Sequence, residues 1–314
     1  MGEWSKEIGE QGENIVEYFF KNIIGYNNNY RTNISIKCSF SEEHKKDNAK
    51  KRLTHGIDGL VAYNCPLVDE LLEIGLISSK YTFDNYPNNP KTFFKDYFVE
   101  LAYTIKCFTY SPEYQDINSA AEDVTDTTIT GLLFWLSNSE EHKGFDLIPE
   151  ISNSIFQGLE LVYDKIIIVD NARMEFLFNL IQPIKKVFGE ENFDFIYHKT
   201  GINKSITHNA SFGKKLPLQL IASNVIPIRA SKGDDVYLII GSREKFNEED
   251  LIKYIALSKQ FNHLEATTKT IISFPDYIKL NHQGRVEKVV ANIKGLSHKD
   301  QIEVVKHDFD FRNI

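Results

Sequence analysis

The chain has 314 residues, enough for one large or two medium domains with a core that needs no staples. Hydrophobic residues make up 42% and charged residues 25%, an ordinary globular balance, while a net charge of −8 excludes a protein that coats nucleic acid through massed Lys and Arg. It leaves room for an enzyme that gathers carboxylates around metal ions and touches DNA through a local basic patch.

In chain order, apolar residues recur at helical spacing from Ser5 to Ile24 (Ile8, Ile15, Val16, Phe19, Phe20, Ile23, Ile24). Arg31 to Phe40 alternates, with Ile34, Ile36 and Cys38 on one side, and predicts a strand. A polar, basic stretch follows from Ser41 to Thr54, holding Lys45, Lys46, Lys50, Lys51 and Arg52. Strands are expected at His55 to Tyr63 and at about Glu70 to Thr82, a turn at Asn85 to Pro90, and a helix from Thr92 to Phe108. Ser111 to Thr128 carries five acids and neither Lys nor Arg, which reads as a solvated loop or small insertion, and Ile129 to Leu136 is a buried strand.

The second half restarts the alternation with a strand at Lys165 to Asp170, a helix at Ala172 to Phe188 and a strand at Phe193 to Tyr197. A further strand lies at Val236 to Gly241 and a helix at Glu248 to Gln260, with helical patterns at Val286 to Ile293 and Lys299 to Lys306. The expected division is residues 1–145 and 146–314, although nothing rich in Pro or Gly marks it. Cys38, Cys65 and Cys107 are far apart, form no CxxC pair, and read as reduced, buried thiols without metal-ligand spacing. The opening twenty residues place acids ahead of the apolar face, unlike a signal peptide, and no apolar run is long enough to span a bilayer. The expectation is a cytoplasmic protein with no membrane partner.

Phosphodiester hydrolysis near neutral pH needs a metal-activated water and positive charge on the phosphate. One compact arrangement puts an Asp and a second acid on adjacent strands, with a Lys two residues beyond that acid on the same face. Asp58 stands early in one predicted strand and Lys80 late in the next, so pairing as a hairpin would bring both to one end of a sheet. The element order, Gly12-Glu13 on the first helix, His55-Gly56-Ile57-Asp58-Gly59 and Ser78-Ser79-Lys80 together resemble the PD-(D/E)XK nuclease superfamily. They look most like its branch of Mrr-type restriction enzymes and archaeal Holliday-junction resolvases. The resemblance covers residues 5 to about 137 and implies an α/β, restriction-endonuclease-like core (αβββαβ), followed here by a second α/β domain for DNA or partner contact.

By that resemblance Glu13 and Asp58 hold Mg2+, with Mn2+ as a substitute, and Lys80 faces the phosphate. Ser78 departs from the pattern, since it stands where the family carries Glu, Asp or Gln. Three readings stay open: Glu100 or Glu10 supplies the missing acid, Glu13 and Asp58 suffice, or the fold binds nucleic acid without cutting. Lys45, Lys46, Lys50, Lys51 and Arg52 are candidate contacts to the DNA backbone. His55 reads as a strand-entry residue rather than a base, Asp170 or Asn171 as a helix cap, and Lys199 to Lys215 as a basic surface loop.

The whole chain also resembles nuclease subunits of two-gene anti-phage systems of the GAPS type. That implies a Mg2+-dependent DNA endonuclease restrained by a second protein encoded next door, with homo-oligomers also open. A catalytically degenerate sensor and a restriction-type enzyme with a sequence-reading second domain are the competing readings.

Overall fold

The computed structural model describes residues 2–45, 51–156, 160–198, 211–261, 267–293 and 301–307. Its contacts divide into two compact units, parting between Glu175 and Phe176. Among the described residues there are eight α-helices and two sheets, and no helix is long and apolar enough to cross a membrane.

The first unit opens with α1 (Gly2–Tyr18), which runs on into a π-helical turn, Phe19–Ile23. Then come β1 (Arg31–Lys37), β2 (Thr54–Asn64), β3 (Leu71–Thr82), α2 (Pro90–Phe108), α3 (Pro112–Ala120), β4 (Asp126–Ser137), α4 (Ile148–Ile151) and β5 (Lys165–Val169). The five strands pair in sequence order; β1, β2 and β3 are antiparallel, while β3, β4 and β5 run parallel. This contains the expected helix, three strands, helix, strand core of a restriction-endonuclease-like fold. One face of the sheet buries Leu72, Ile74 and Leu76 against Phe94, Phe98, Leu101 and Ile105 of α2. On the α1 side, Phe19 and Phe20 each meet the Phe134 ring at 5.8 Å.

The loop expected at Ser111 to Thr128 holds α3, with the Ser111 hydroxyl accepting from the Tyr114 amide and Pro112 in the first turn. The helix fully buries none of its residues, and only Tyr114 and Ile117 pack partly buried against the core, a stripe too short to announce a helix. β5, expected to open the second domain, instead completes the first sheet. A polar ladder crosses four strands there: Tyr63 on β2 donates to Glu73 on β3 at 3.0 Å, Thr130 on β4 donates to the other carboxylate oxygen at 2.9 Å, and Lys165 on β5 lies 3.2 Å from it. Glu73 is 0% exposed, and this set of partners is what makes a buried carboxylate tolerable.

α1 sits directly on β3 at Gly12, where a Cβ would collide with the Cβ of Tyr81 and come within 3.1 Å of Ser79 Oγ. Ala normally improves on Gly inside a helix by up to about 1 kcal/mol. Here the sign reverses: Gly12→Ala is expected to lower stability by about 1–3 kcal/mol as the helix is forced off the strand. A thermal melt checks it, and an unchanged or higher Tm would show that the two elements have room to part.

The division between the units falls within α5 (Asn171–Phe188). The second unit continues with β6 (Phe193–Ile196), β7 (Phe212–Gly213), α6 (Leu218–Ile221), β8 (Val225–Lys232), β9 (Asp235–Ser242), α7 (Glu248–Phe261), β10 (Lys269–Phe274), α8 (Lys279–Asn292) and β11 (Ile302–Lys306). Its sheet order is β11-β10-β9-β8-β6-β7, parallel from β11 to β9 and antiparallel beyond. Leu251, Tyr254 and Ile255 of α7 and Val286, Val289 and Val290 of α8 cover Leu238, Ile240, Ile272 and Phe274. The helical pattern at Val286 to Ile293 is α8, but the one at Lys299 to Lys306 is β11 across its described part, because Ile302 to Lys306 pairs with β10.

Candidate active site

β2 and β3 pair from Asn64↔Leu72 up to Gly59↔Ile77, and the next step toward the start of β2 is made by a side chain. Asp58 Oδ2 accepts the Ser79 amide at 2.7 Å, so the carboxylate occupies the opening where the two strands separate. Gly59 leaves the space its side chain would fill to the Tyr30 hydroxyl. On β1, Asn33 lies between the pairs Thr32↔Gly59 and Ile34↔Ile57 with φ of 56°, a left-handed kink opposite Asp58.

Alternation along β3 sends Ser79 and Tyr81 toward Gly12 on α1, and Ser78 and Lys80 toward α2. Lys80 Nζ lies 3.5 Å from Glu100 Oε2 and 5.4 Å from the centre of the Tyr97 ring, both on α2. The other Glu100 oxygen accepts from Arg52 at 2.8 Å. Glu13 follows Gly12 on α1 and is half-buried.

These groups feel one another. The Asp58 carboxyl is pushed above the ordinary carboxylate range, chiefly by burial; the Ser79 amide and Lys80 pull it back, and Glu100 pushes it further. Glu13 is pushed up by burial first, then by the charges of Asp58 and Glu10, and Lys80 pulls it down. Asp58, Glu13, Glu100, Lys80 and Arg52 therefore form one electrostatic cluster at the mouth between β2 and β3. Three carboxylates against two cations leave an excess of negative charge, a donor set suited to a hard divalent cation with oxygen ligands. Ser78 shares the Lys80 face without contributing charge, and on α2 Glu100 stands next to the lysine.

The remaining candidates divide. Glu10 is exposed, paired with Lys6 at 3.6 Å, and acts on Glu13 only through its charge. Lys45 and Lys51 are exposed and paired with Glu42; Lys46 and Lys50 lie outside the described residues. Arg52 points into the cluster. Asp170 receives the amides of Leu147 at 2.7 Å and Arg173 at 2.9 Å, the second of these capping the start of α5. Of the basic loop, Lys204 and His208 lie outside the described residues, and Lys214 is spent on Asp194 and on the carbonyls of Glu190, Glu191 and Phe193.

His55 enters β2 as expected but faces α2, not the carboxylates. It meets Cys38, His44 and Cys107, a group that spacing along the chain did not reveal because β2, α2 and the segment between β1 and β2 supply it.

Nucleases of the PD-(D/E)XK superfamily generally use divalent metal ions, which agrees with the donor set at the mouth of β2 and β3. Comparison with curated proteins and with solved structures gives no match. The family model for the PD-(D/E)XK nuclease domain of GAPS4 proteins matches residues 1–173, more than half of the chain and nearly the whole first unit, and the chain belongs to that family.

Proposed function

We propose that this protein is a Mg2+-dependent DNA endonuclease of anti-phage defence, working in the cytoplasm with a second subunit encoded by an adjacent gene. The observation that carries the reading is the grouping of Asp58, Lys80 and Glu100 where β2 and β3 part, with Glu13 on α1 near enough for its charge to act on Asp58 and Lys80. Asp58, Glu13 and Glu100 would hold the metal, with Mn2+ able to replace Mg2+. The bound ion would supply Lewis acidity and a more acidic water.

The protein's own groups have separable tasks. Lys80, held between Glu100 and Tyr97, presents an ammonium to the attacked phosphate and offsets its charge. Arg52 restrains Glu100 and anchors the end of the basic loop, and Lys45, Lys46, Lys50 and Lys51 guide the DNA backbone. The exposed pairs of Lys45 and Lys51 with Glu42 are weak enough to exchange for phosphate. The second unit would contact DNA or the partner subunit. Buried cysteine side chains suit the reducing cytoplasm.

The test is incubation of linear, circular and phage DNA with Mg2+, with and without the neighbouring protein. Cleavage that requires Mg2+ and is stopped by a chelator is expected. Absence of cleavage in every arm, together with calorimetry showing no Mg2+ or Mn2+ heat, would identify a subunit that binds without cutting. Co-expression followed by size analysis checks the partner: separate peaks would remove the complex from the proposal.

A further inference from the structure

His55 and the three groups around it lie further along the same α2 face. Cys38 follows β1, His44 lies in the loop after it, His55 enters β2, and Cys107 is in the last turn of α2. All are buried, with exposures of 6%, 1%, 0% and 0% in that order. His44 Nδ1 is 3.5 Å from Cys38 Sγ, 3.4 Å from Cys107 Sγ and 3.3 Å from His55 Nε2, and the two sulfurs are 3.9 Å apart. The four atoms all lie within 4.8 Å of one another.

A regular tetrahedron around zinc, with Zn–S near 2.3 Å and Zn–N near 2.0–2.1 Å, has edges of about 3.3–3.8 Å. Three of the four edges above fall in that range, the sulfur–sulfur edge is 3.9 Å, and the two edges from His55 to the sulfurs lie within 4.8 Å, so small side-chain shifts would close the shell. Hydrogen bonding fixes the chemistry further. The Thr104 hydroxyl donates to the Glu100 carbonyl at 2.8 Å, so toward His55 Nδ1, 3.3 Å away, it can only accept. That places the ring proton on Nδ1 and turns the Nε2 lone pair inward, the arrangement of an imidazole that binds metal. The Ser39 amide donates to Cys107 Sγ at 3.4 Å, as amides do to metal-bound thiolates. The His44 ring is fixed by stacking on Tyr103, with centroids 4.0 Å apart, and Nδ1 faces the cluster.

We propose that Cys38, His44, His55 and Cys107 bind one structural Zn2+ ion. Two thiols lose their protons to solvent as the ion binds, so two thiolates balance its charge and the buried site is neutral, which removes the main cost of burying an ion. Sulfur and nitrogen donors in a tetrahedron select zinc over the Mg2+ of oxygen sites, and a shell this tight has space for a single ion and not for a two-iron cluster. The ion would pin both ends of the basic loop, at His44 and His55, and tie β2 to α2 about two turns from Glu100. The inference rests on this cluster alone and stands whether or not the protein cuts DNA.

Full-length protein purified without chelators, and dialysed against Mg2+ to empty oxygen sites, should carry about one equivalent of zinc per chain by elemental analysis. Cys107→Ser and His44→Ala should each reduce that content by roughly tenfold or more, while Cys65→Ser and Asp58→Asn should retain it. If the ligand variants do not fold, X-ray absorption on the parent protein decides: two sulfur and two nitrogen neighbours at about 2.3 Å and 2.0 Å are expected. A parent protein without stoichiometric transition metal, a shell of oxygen neighbours, or a Cys38–Cys107 disulfide by mass analysis would overturn the assignment.

Discussion

Asp58→Asn is expected to abolish DNA cleavage, by about 10^3-fold or more, while leaving a folded protein that melts no lower than its parent. The two halves of that result come from one cause. The carboxylate is held where strands separate and burial pushes its pKa up, so the ionised form needed to grip a cation is costly in the free protein. An acid raised in the folded state contributes its stability below the ordinary carboxylate range and loses it as pH rises through the raised value. At neutral pH asparagine removes that cost and still accepts the Ser79 amide. Melts in chelator should therefore show the variant's advantage at neutral pH, shrinking as the solution is made acid. The companion Lys80→Ala should lose about 10^2–10^3-fold in cleavage, the usual penalty for deleting a group aimed at developing charge. Parental rates from Lys80→Ala would end the nuclease assignment of this cluster.

The second expected result concerns the acid that Ser78 does not provide. Glu100→Gln should raise the Mg2+ concentration needed for half-maximal cleavage and cost about 10–100-fold in rate at limiting metal. Ser78→Ala should change the rate by no more than about 2-fold, since a hydroxyl adds little to a hard-ion site. The shift in metal requirement matters because Glu100 also touches Lys80 and Arg52. If Glu100 only positioned those cations, the rate would fall equally at every Mg2+ concentration. Ser78→Glu placed in the Glu100→Gln background should recover part of the activity by returning the acid to β3. A Glu100→Gln protein with normal rate and normal metal requirement would leave Asp58 and Glu13 as the whole donor set.

Much of the first unit was readable because its chemistry follows local rules. Asp58 and Lys80 stood on long, well-marked strands, and period-two alternation was enough to put Ser78 and Lys80 on one face. The elements that escaped lacked such marks. α3 sets only Tyr114 and Ile117 partly buried against the core, so its Ser111-Pro112 start was the clearest sign of it. β8 carries Pro227, which argues against an interior strand; the structure accommodates it because β6 pairs only with Ile228, Arg229 and Ala230, leaving that edge of Pro227 without a demand for its missing N–H. β11 is a short apolar run whose strand identity comes from β10 beside it, a contact that no local pattern encodes. The Cys38, His44, His55 and Cys107 cluster was hidden for the same reason, since its last member is brought home by a helix and not by proximity along the chain.

The buried ladder from Tyr63 through Glu73 and Thr130 to Lys165 limits where a fragment of the nuclease-family domain can end. A fragment ended at residue 145 would keep every group at the mouth of β2 and β3, yet it would strip Glu73 of its cation and expose the flank of β4. It would inherit an interior carboxylate short of one ion pair and a sticky strand edge, and is expected to aggregate more readily than a fragment carried past Val169.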